Sequence, residues 1–169
     1  VEVAGFDLRT ARASARRTVG YVAQFFSLYS IFSVGFNLKF YGGAYGLFGN
    51  KLKTAMDAVV RRFGLTGLIS KKAGGLNDGY KKRLSMAVAL MHNPDILFLD
   101  EPTSSIDPLA RRLFWRSINR LADEGKAIIV TTHFMEEAEY CTRIAIQDRG
   151  HMLALGSPKE VKAVAGLPE

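Results

Sequence analysis

The feature that most constrains the fold of this chain is a continuous apolar run that ends in two adjacent acids, Ile96-Leu97-Phe98-Leu99-Asp100-Glu101. An uninterrupted apolar run of this length is typical of a β-strand buried on both faces, as in the parallel sheets of α/β proteins. In such sheets, ligands bind beyond the carboxyl ends of the strands. The run therefore predicts that Asp100 and Glu101 lie at the ligand-binding edge of a parallel sheet.

Two other segments predict strands that are followed by polar side chains. Residues 18–23 are typical of a short strand that precedes Gln24, and residues 127–132 of a second buried strand that precedes His133. Because neighbouring parallel strands end at the same edge, Gln24 and His133 are predicted to lie beside the acid pair. Consecutive strand residues point in different directions, so the two acids can serve different purposes.

Helical periodicity and capping residues predict the main helices. Apolar residues recur at helical spacing in residues 52–63 and 78–92. Asp107, followed by Pro108, predicts the start of a helix that runs to residue 122. A short helix is predicted over residues 134–140.

The end of the chain carries two local patterns. The apolar segments on either side of Asp148-Arg149-Gly150 predict a β-hairpin. Ser157 and Glu160 have the spacing of a capping box, which predicts a final helix.

Strands that alternate with helices predict an α/β fold in which a mostly parallel sheet is flanked by helices. Residues 25–92 contain no buried strand. The predicted organisation is therefore one domain over residues 1–169. Its sheet core comprises residues 1–24 and 93–169, and a helical lobe over residues 25–92 is inserted between strands.

Residues 25–49 form an aromatic segment with a single charged residue, Lys39. The segment is long enough to cross a membrane, but its five glycines interrupt the apolar runs. We interpret it as a surface that packs against a partner rather than as a membrane span.

Composition limits the environment and the partners. The net charge of +7 permits an acidic partner, but the basic residues are scattered and no aromatic-interleaved basic stripe occurs, so nucleic-acid binding is not expected. Cys141 is the single cysteine, which excludes an internal disulfide and fits a reducing compartment.

Three segments together resemble the nucleotide-binding domain of ABC ATPases, and they occur in the family's order and spacing. They are VGYVAQ, LNDGYKKRLSMAVALMHNPDILFLDEPTSSIDP and IIVTTHFMEEAEYC. The resemblance covers essentially the whole chain. Gln24 matches the Q-loop glutamine, and Asp100 and Glu101 match the Walker B aspartate and the catalytic glutamate. Ser105-Ile106-Asp107 matches the D-loop, and His133 matches the switch histidine.

This resemblance implies a P-loop NTPase-like ATPase that uses ATP and Mg²⁺. Glu101 would be the general base, and His133 would sense the γ-phosphate. Asp100 and Gln24 would serve Mg²⁺. The remaining nucleotide contacts would come from Asn77, Gly79 and Asp107.

The finer resemblance is to ATPases that drive ABC-2-type drug or polysaccharide exporters. It implies a cytoplasmic subunit, peripheral to the inner face of the cell membrane, with two partners. One is a transmembrane permease subunit or domain, and the other is a second nucleotide-binding domain in a head-to-tail dimer. Two alternatives stay open: a soluble ABC ATPase that acts on ribosomes or RNA, and a degenerate domain that serves only for interaction.

The signature motif departs from the family pattern Leu-Ser-Gly-Gly-Gln, because Leu76-Asn77-Asp78-Gly79-Tyr80 stands in its place. Asn77 can still donate a hydrogen bond, whereas Asp78 puts a carboxylate where a phosphate should bind. Lys81 and Lys82 are expected to offset that charge. Altered phosphate contact is the main expectation, and a motif that only caps its helix is the alternative.

No G-x-x-x-x-G-K-[ST] pattern, the family's phosphate-binding P-loop (Walker A), occurs in the 169 residues. In the family this loop lies upstream of a segment that resembles VEVAGFDL, so the chain is expected to begin just after it. The expectation is that the 169 residues alone bind ATP weakly and do not hydrolyse it measurably. A missing strand would also expose a sheet edge that is prone to association.

Overall fold

The computed structural model describes residues 2–7, 9–104 and 106–164. These residues fall into two compact units, one that ends at Thr131 and one that begins at Thr132. The first unit contains five strands and five helices among its described residues: β1 (Glu2–Val3), β2 (Phe6–Asp7), α1 (Arg12–Arg17), β3 (Val19–Val22), α2 (Val34–Ala44), α3 (Gly49–Arg62), α4 (Asp78–Leu90), β4 (Ile96–Asp100), α5 (Pro108–Asp123) and β5 (Ala127–Thr131). Short 3₁₀ turns lie at Thr66–Leu68 and Ala73–Gly75.

The centre of the first unit is a three-stranded parallel sheet in the order β3-β4-β5. Its middle strand, β4, was predicted to be buried on both faces. One face is buried, since Leu97 is 0% and Leu99 1% exposed, whereas Ile96 and Phe98 on the other face are only partly buried. Helix α5 turns Trp115, Ile118 and Leu121 into the core. The predicted α/β fold with a parallel sheet is therefore confirmed.

The prediction that β5 is a second buried strand is wrong. Its residues alternate between exposed and partly buried, and Ile129 is 52% exposed. The physical reason is that β4 is its one pairing partner among the described residues, so β5 borders the sheet. Apolar composition identified the strand but not how deeply it is buried.

Between β3 and β4 the chain forms α2, α3, the two 3₁₀ turns and α4. They share an apolar core that includes Leu38, Leu65, Leu84 and Ala87, all 0% exposed. The helices predicted over residues 52–63 and 78–92 are observed, with bounds that differ by a few residues. Their assignment to a separate lobe stays a prediction.

The aromatic segment is fixed in place by a buried amide. Asn37 is fully buried, and its Nδ2 donates hydrogen bonds to the carbonyl oxygens of Tyr29 and Ser33, each at 3.0 Å. Its Oδ1 accepts from the Tyr29 backbone N–H at 2.9 Å. Several rings of the segment stay exposed, among them Phe25 at 78% and Phe48 at 69%. Within the described residues, no helix is long and apolar enough to cross a membrane.

At the start of the chain, residues 2–7 form an antiparallel pair of short strands, β1 and β2. The basic connection to β3 contains the unpredicted helix α1, which ends in Arg16 and Arg17. Basic residues near a helix carboxyl end are favourable, because they complement the helix dipole.

The second unit contains a 3₁₀ turn (Met135–Tyr140), an antiparallel pair of strands, β6 (Ile144–Asp148) and β7 (His151–Gly156), and α6 (Pro158–Val164). The predicted hairpin is confirmed, and both turn residues have positive φ angles, 44° for Arg149 and 82° for Gly150. The capping box is also confirmed. The Ser157 N–H donates to Glu160 Oε2 at 2.7 Å, and the Glu160 N–H donates to Ser157 Oγ at 3.3 Å.

Candidate functional site

Asp100 is the last residue of β4, where side chains from both neighbouring strands reach its carboxylate. Thr131, its register partner on β5, donates from Oγ1 to Asp100 Oδ1 at 2.6 Å. Tyr21 of β3 donates from its hydroxyl to Asp100 Oδ2 at 3.4 Å. Burial raises the pKa of Tyr21, and the negative charge of Asp100 raises it further. The Asp100 carboxylate is thus oriented from both sides of its strand.

Glu101 turns away from the strand direction. Its φ angle is 39°, in the left-handed region that residues other than glycine rarely adopt. Its backbone N–H donates to the Thr131 carbonyl oxygen and to Thr131 Oγ1, both at 3.1 Å. Strained backbone of this kind is concentrated at functional sites, where surrounding contacts hold it in place. Thr131 therefore supports both acids, although its role was not predicted from the sequence.

Gln24 lies just beyond β3 and contacts Glu101 directly. Its Nε2 donates to Glu101 Oε2 at 2.9 Å, across 77 residues of sequence. This contact joins the ends of the first and second strands of the sheet. The structure therefore brings Gln24 and the acid pair together within the first unit, and the two acids have different partners. The chemical role of each residue stays a prediction.

Lys82 is a residue whose position the sequence did not reveal. Its Nζ donates to the Gln24 carbonyl oxygen at 2.7 Å, which ties α4 to the segment that carries Gln24. Burial lowers the pKa of Lys82, while the charges of Asp100, Asp78 and Glu101 raise it. Lys81 and Lys82 were expected to offset the charge of Asp78. Lys81 forms an ion pair with Asp78 at 3.2 Å, and the charge of Asp78 also acts on Lys82.

The signature-like segment begins α4. Asn77 is its N-cap, because Asn77 Oδ1 accepts a hydrogen bond from the Tyr80 backbone N–H at 2.9 Å. The Asn77 amide nitrogen has no bond to another described residue, so it can still donate to a ligand. A Cβ on Gly79 would lie 3.6 Å from Asn77 Oδ1, an ordinary contact, so packing within this chain does not require glycine there.

Asp107 caps α5, as its pairing with Pro108 predicted. Its Oδ1 accepts from the backbone N–H groups of Leu109 and Ala110, both at 3.0 Å. This carboxylate is therefore already used within the chain, which bears on its proposed contact with nucleotide. Ser105, the first residue of the D-loop match, lies outside the described residues.

His133 belongs to the second unit, two residues after β5 ends. It is exposed, and its ring lies 4.2 Å from the ring of Phe134. Next to it, Thr132 Oγ1 donates at 2.7 Å to Glu137, a carboxylate that is 0% exposed. That His133 lies beside the acid pair stays a prediction.

No cluster of three or more His, Cys, Asp or Glu residues that could hold a metal ion occurs in residues 2–7, 9–104 and 106–164. Mg²⁺ does not need such a cluster, since it is commonly bound by one or two protein oxygens together with water and phosphate oxygens. The Asp100 carboxylate and the amide oxygen of Gln24 are oxygen donors of that kind. The amide nitrogen of Gln24 bonds to Glu101, which leaves its Oε1 for a cation. The donor set therefore fits Mg²⁺.

Comparison with known protein families gives two matches. The ABC transporter family matches residues 1–104. A second family, described as an AAA domain, putative AbiEii toxin, Type IV TA system, matches residues 75–137. Between them the two matches contain Gln24, the acid pair and His133.

Two relatives illustrate the similarity and its extent. The chain is 48% identical over 161 residues to the probable multidrug ABC transporter ATP-binding protein YbhF of Escherichia coli (strain K12), which covers 95% of this chain and 28% of that protein. It is 38% identical over 160 residues to the Nod factor export ATP-binding protein I of Burkholderia thailandensis, which covers 94% of this chain and 53% of that protein. The chain thus spans only part of the length of these relatives.

Solved structures share the fold. The structure of cbiO1 from Clostridium perfringens, part of the ABC transporter complex cbiONQ, superposes with a TM-score of 0.79 at 30% identity, over 89% of this chain and 61% of that one. An ATP binding subunit of an ABC transporter superposes with a TM-score of 0.82 at 24% identity, over 96% of this chain and 68% of that one. At 24% identity the second likeness is evidence for the fold alone.

Proposed function

Since the chain belongs to the ABC transporter family of ATP-binding domains, we propose that it forms part of an ATPase that drives export across a membrane. In this proposal Gln24, Asp100 and Glu101, which we call the hydrolytic edge, position and activate the water molecule that attacks ATP. The observation that carries the proposal is the hydrogen bond from Gln24 Nε2 to Glu101 Oε2 at 2.9 Å, beside the oriented carboxylate of Asp100. One amide and two carboxylates with different hydrogen-bond partners lie at the carboxyl edge of a parallel sheet. Such a set of groups can position a water molecule next to a phosphate.

In this proposal each residue has its own task. Glu101 accepts a proton from the attacking water, and Gln24 holds the Glu101 carboxylate in position for it. Asp100 and the Gln24 amide oxygen would hold Mg²⁺, which when bound neutralises charge on the phosphate oxygens. His133 would contact the γ-phosphate, an assignment that rests on its match to the switch histidine, two residues after the end of β5.

The signature-like segment would face nucleotide bound mainly by a second copy of the domain in a head-to-tail dimer. Among the described residues the amide nitrogen of Asn77 has no partner, so it is available for that contact. Gly79 lies in the first turn of α4, where the helix dipole favours an anion. The side chain of Asp107 serves α5, so we assign its contact with nucleotide to backbone atoms.

The exposed aromatic rings that follow Gln24 supply a surface for a membrane partner. Phe25, Ile31 and Phe48 are 78%, 71% and 69% exposed, although they are large and apolar. A surface of this kind fits an apolar helix of a permease that reaches into the cytoplasm. Export as the direction of transport is suggested by relatives whose names refer to multidrug transport and Nod factor export.

The first test is the requirement for metal. We expect the full-length gene product to hydrolyse ATP in the presence of Mg²⁺, and chelation with EDTA to reduce the rate at least about a hundredfold, because phosphoryl transfer depends on the cation's charge. Phosphate release measured with and without EDTA checks this.

Readdition of Mg²⁺ in excess of EDTA serves as the control and should restore the rate. A hydrolysis rate that EDTA leaves unchanged would contradict the assignment of Asp100 and Gln24 to a cation. Absence of any hydrolysis under both conditions would contradict the proposed activity itself.

A further inference from the structure

A second concave site lies in the first unit and borders the candidate site, since Gly79 and Lys82 are among its lining residues. It is a cleft of about 570 Å³ between the end of α3, the first half of α4 and the outer face of α5. A volume of this size is typical of sites for small molecules. We call it the basic cleft, because six cationic side chains line it and none of its described lining residues is acidic: Arg61, Arg62, Lys82, Arg83, Arg116 and Arg120.

Some of these cations already have partners. Arg62 donates two hydrogen bonds to Glu124, at 3.0 and 2.9 Å, and Lys82 is bonded to the Gln24 carbonyl oxygen. The guanidinium group of Arg83 lies over the Tyr80 ring, 5.2 Å from its centroid. In contrast, the guanidinium groups of Arg61 and Arg116 make no hydrogen bond or ion pair with any other described residue. Two guanidinium groups are therefore available to a ligand.

The chain offsets only part of this positive charge, because the Glu124 carboxylate interacts with Arg62 and Arg120. Arg116 and Arg120 are four residues apart on α5, a spacing at which like charges repel each other. Arg61 adds a further positive charge from the end of α3. A bound anion would relieve this repulsion, and a guanidinium group binds phosphate with two parallel hydrogen bonds.

The floor of the cleft is apolar, since Phe63, Met86, Leu113 and Phe114 contribute to its lining. Leu113 is 48% exposed, so this apolar surface is open to solvent. Guanidinium groups around an apolar floor fit a ligand that combines a phosphate group with an apolar part. The compact volume and the three helical walls favour a ligand of small-molecule size over a protein partner.

We propose that the basic cleft is a second anion site, which borders the signature-like segment at Gly79 and binds the phosphate group of an amphiphilic ligand through Arg61 and Arg116. Such a ligand could be a soluble phosphorylated molecule or a phospholipid headgroup, and both present the same phosphate chemistry to the two arginines.

The test compares two double variants of the full-length gene product with equal changes in charge. Arg61→Glu/Arg116→Glu alters the cleft, whereas Lys53→Glu/Arg112→Glu alters exposed residues of the same two helices that do not line it. One probe is inorganic triphosphate, measured by titration calorimetry. The other is vesicles of phosphatidylglycerol, with phosphatidylcholine vesicles as reference, measured by co-sedimentation.

We expect at least one probe to bind at least about tenfold more weakly to the cleft variant than to wild type, with the control variant unchanged within about twofold. Loss of triphosphate binding identifies a soluble source, and loss of vesicle binding identifies a headgroup. If both double variants bind both probes like wild type, or lose binding equally, the proposal is overturned. Arg61→Gln/Arg116→Gln, which removes charge without reversing it, gives the same comparison if the glutamate variant fails to fold.

Discussion

Replacement of Glu101 by glutamine is expected to lower the ATPase rate of the full-length gene product at least about a hundredfold, because the amide cannot accept a proton from water. The substitution preserves size, and the amide oxygen can still accept the hydrogen bond that Gln24 donates. ATP affinity should therefore change by no more than about threefold, since the effect falls on the chemical step rather than on binding. Steady-state phosphate release and titration with a fluorescent ATP analogue measure the two quantities.

A matched control is Glu2→Gln, which makes the same chemical change at an exposed residue of β1. It should leave the rate within about twofold of wild type, as surface substitutions away from a site generally do. An ATPase rate in Glu101→Gln equal to that of the control would remove Glu101 from the role of general base. It would favour the alternative in which the domain serves only for interaction.

The second large effect concerns stability, at Gly20 in the middle of β3. A Cβ added there would lie 2.5 Å from the Ala89 carbonyl oxygen and 2.9 Å from Leu97 Cδ1. The first of these atoms belongs to the backbone of α4 and cannot move alone, so helix and strand would have to separate. Gly20→Ala is expected to lower the free energy of unfolding by about 2–3 kcal/mol, in the upper range for overpacked cores. Urea denaturation followed by circular dichroism measures the change.

Gly67→Ala is the control for this substitution. Apart from Gly67 and its two chain neighbours, no heavy atom of the described residues lies within 4 Å of a Cβ at Gly67, and the φ angle there is not in the left-handed region. Its free energy of unfolding should change by less than about 0.5 kcal/mol. Equal stability of the two variants would show that α4 and β3 do not approach as closely as described.

Local patterns predicted much of the fold because the responsible forces act over a few residues. Asp107 followed by Pro108 located the start of α5, where the carboxylate bonds to two backbone N–H groups. Ser157 and Glu160 located α6 through a capping box. The apolar run before Asp100 identified the central strand, in which Leu97 and Leu99 are buried.

The contacts that complete the candidate site could not be predicted in this way. Lys82 donates to the carbonyl oxygen of Gln24, 58 residues earlier in the chain. Thr131 forms hydrogen bonds with Asp100 and Glu101, which lie at the end of a different strand. Such contacts depend on strand register and on how α4 crosses the sheet, which no local pattern records. The exposure of β5 was missed for a similar reason, because apolar composition does not show how many neighbours a strand has.

The resemblance to a family supplied what local patterns could not, namely roles for residues far apart in sequence. Gln24 was assigned by matching a motif, and the structure brings it into contact with Glu101. His133 was assigned by the same reasoning, and its role still depends on the motif match. The nucleotide contacts of Asn77 and Gly79 likewise stay predictions.

The central claim is that Gln24 and Glu101 act as one unit in hydrolysis, and a double-mutant cycle on the ATPase rate of the full-length gene product tests it most directly. Gln24→Ala alone should lower the rate at least about tenfold, because Glu101 loses the bond that positions it. At a Mg²⁺ concentration that saturates every variant, so that a weakened Gln24 contact with the cation does not limit the rate, the double variant Gln24→Ala/Glu101→Gln should be no more than about threefold slower than Glu101→Gln alone, as expected for residues that act together. If the two losses instead multiply in full, the residues act independently and the account of the site is contradicted.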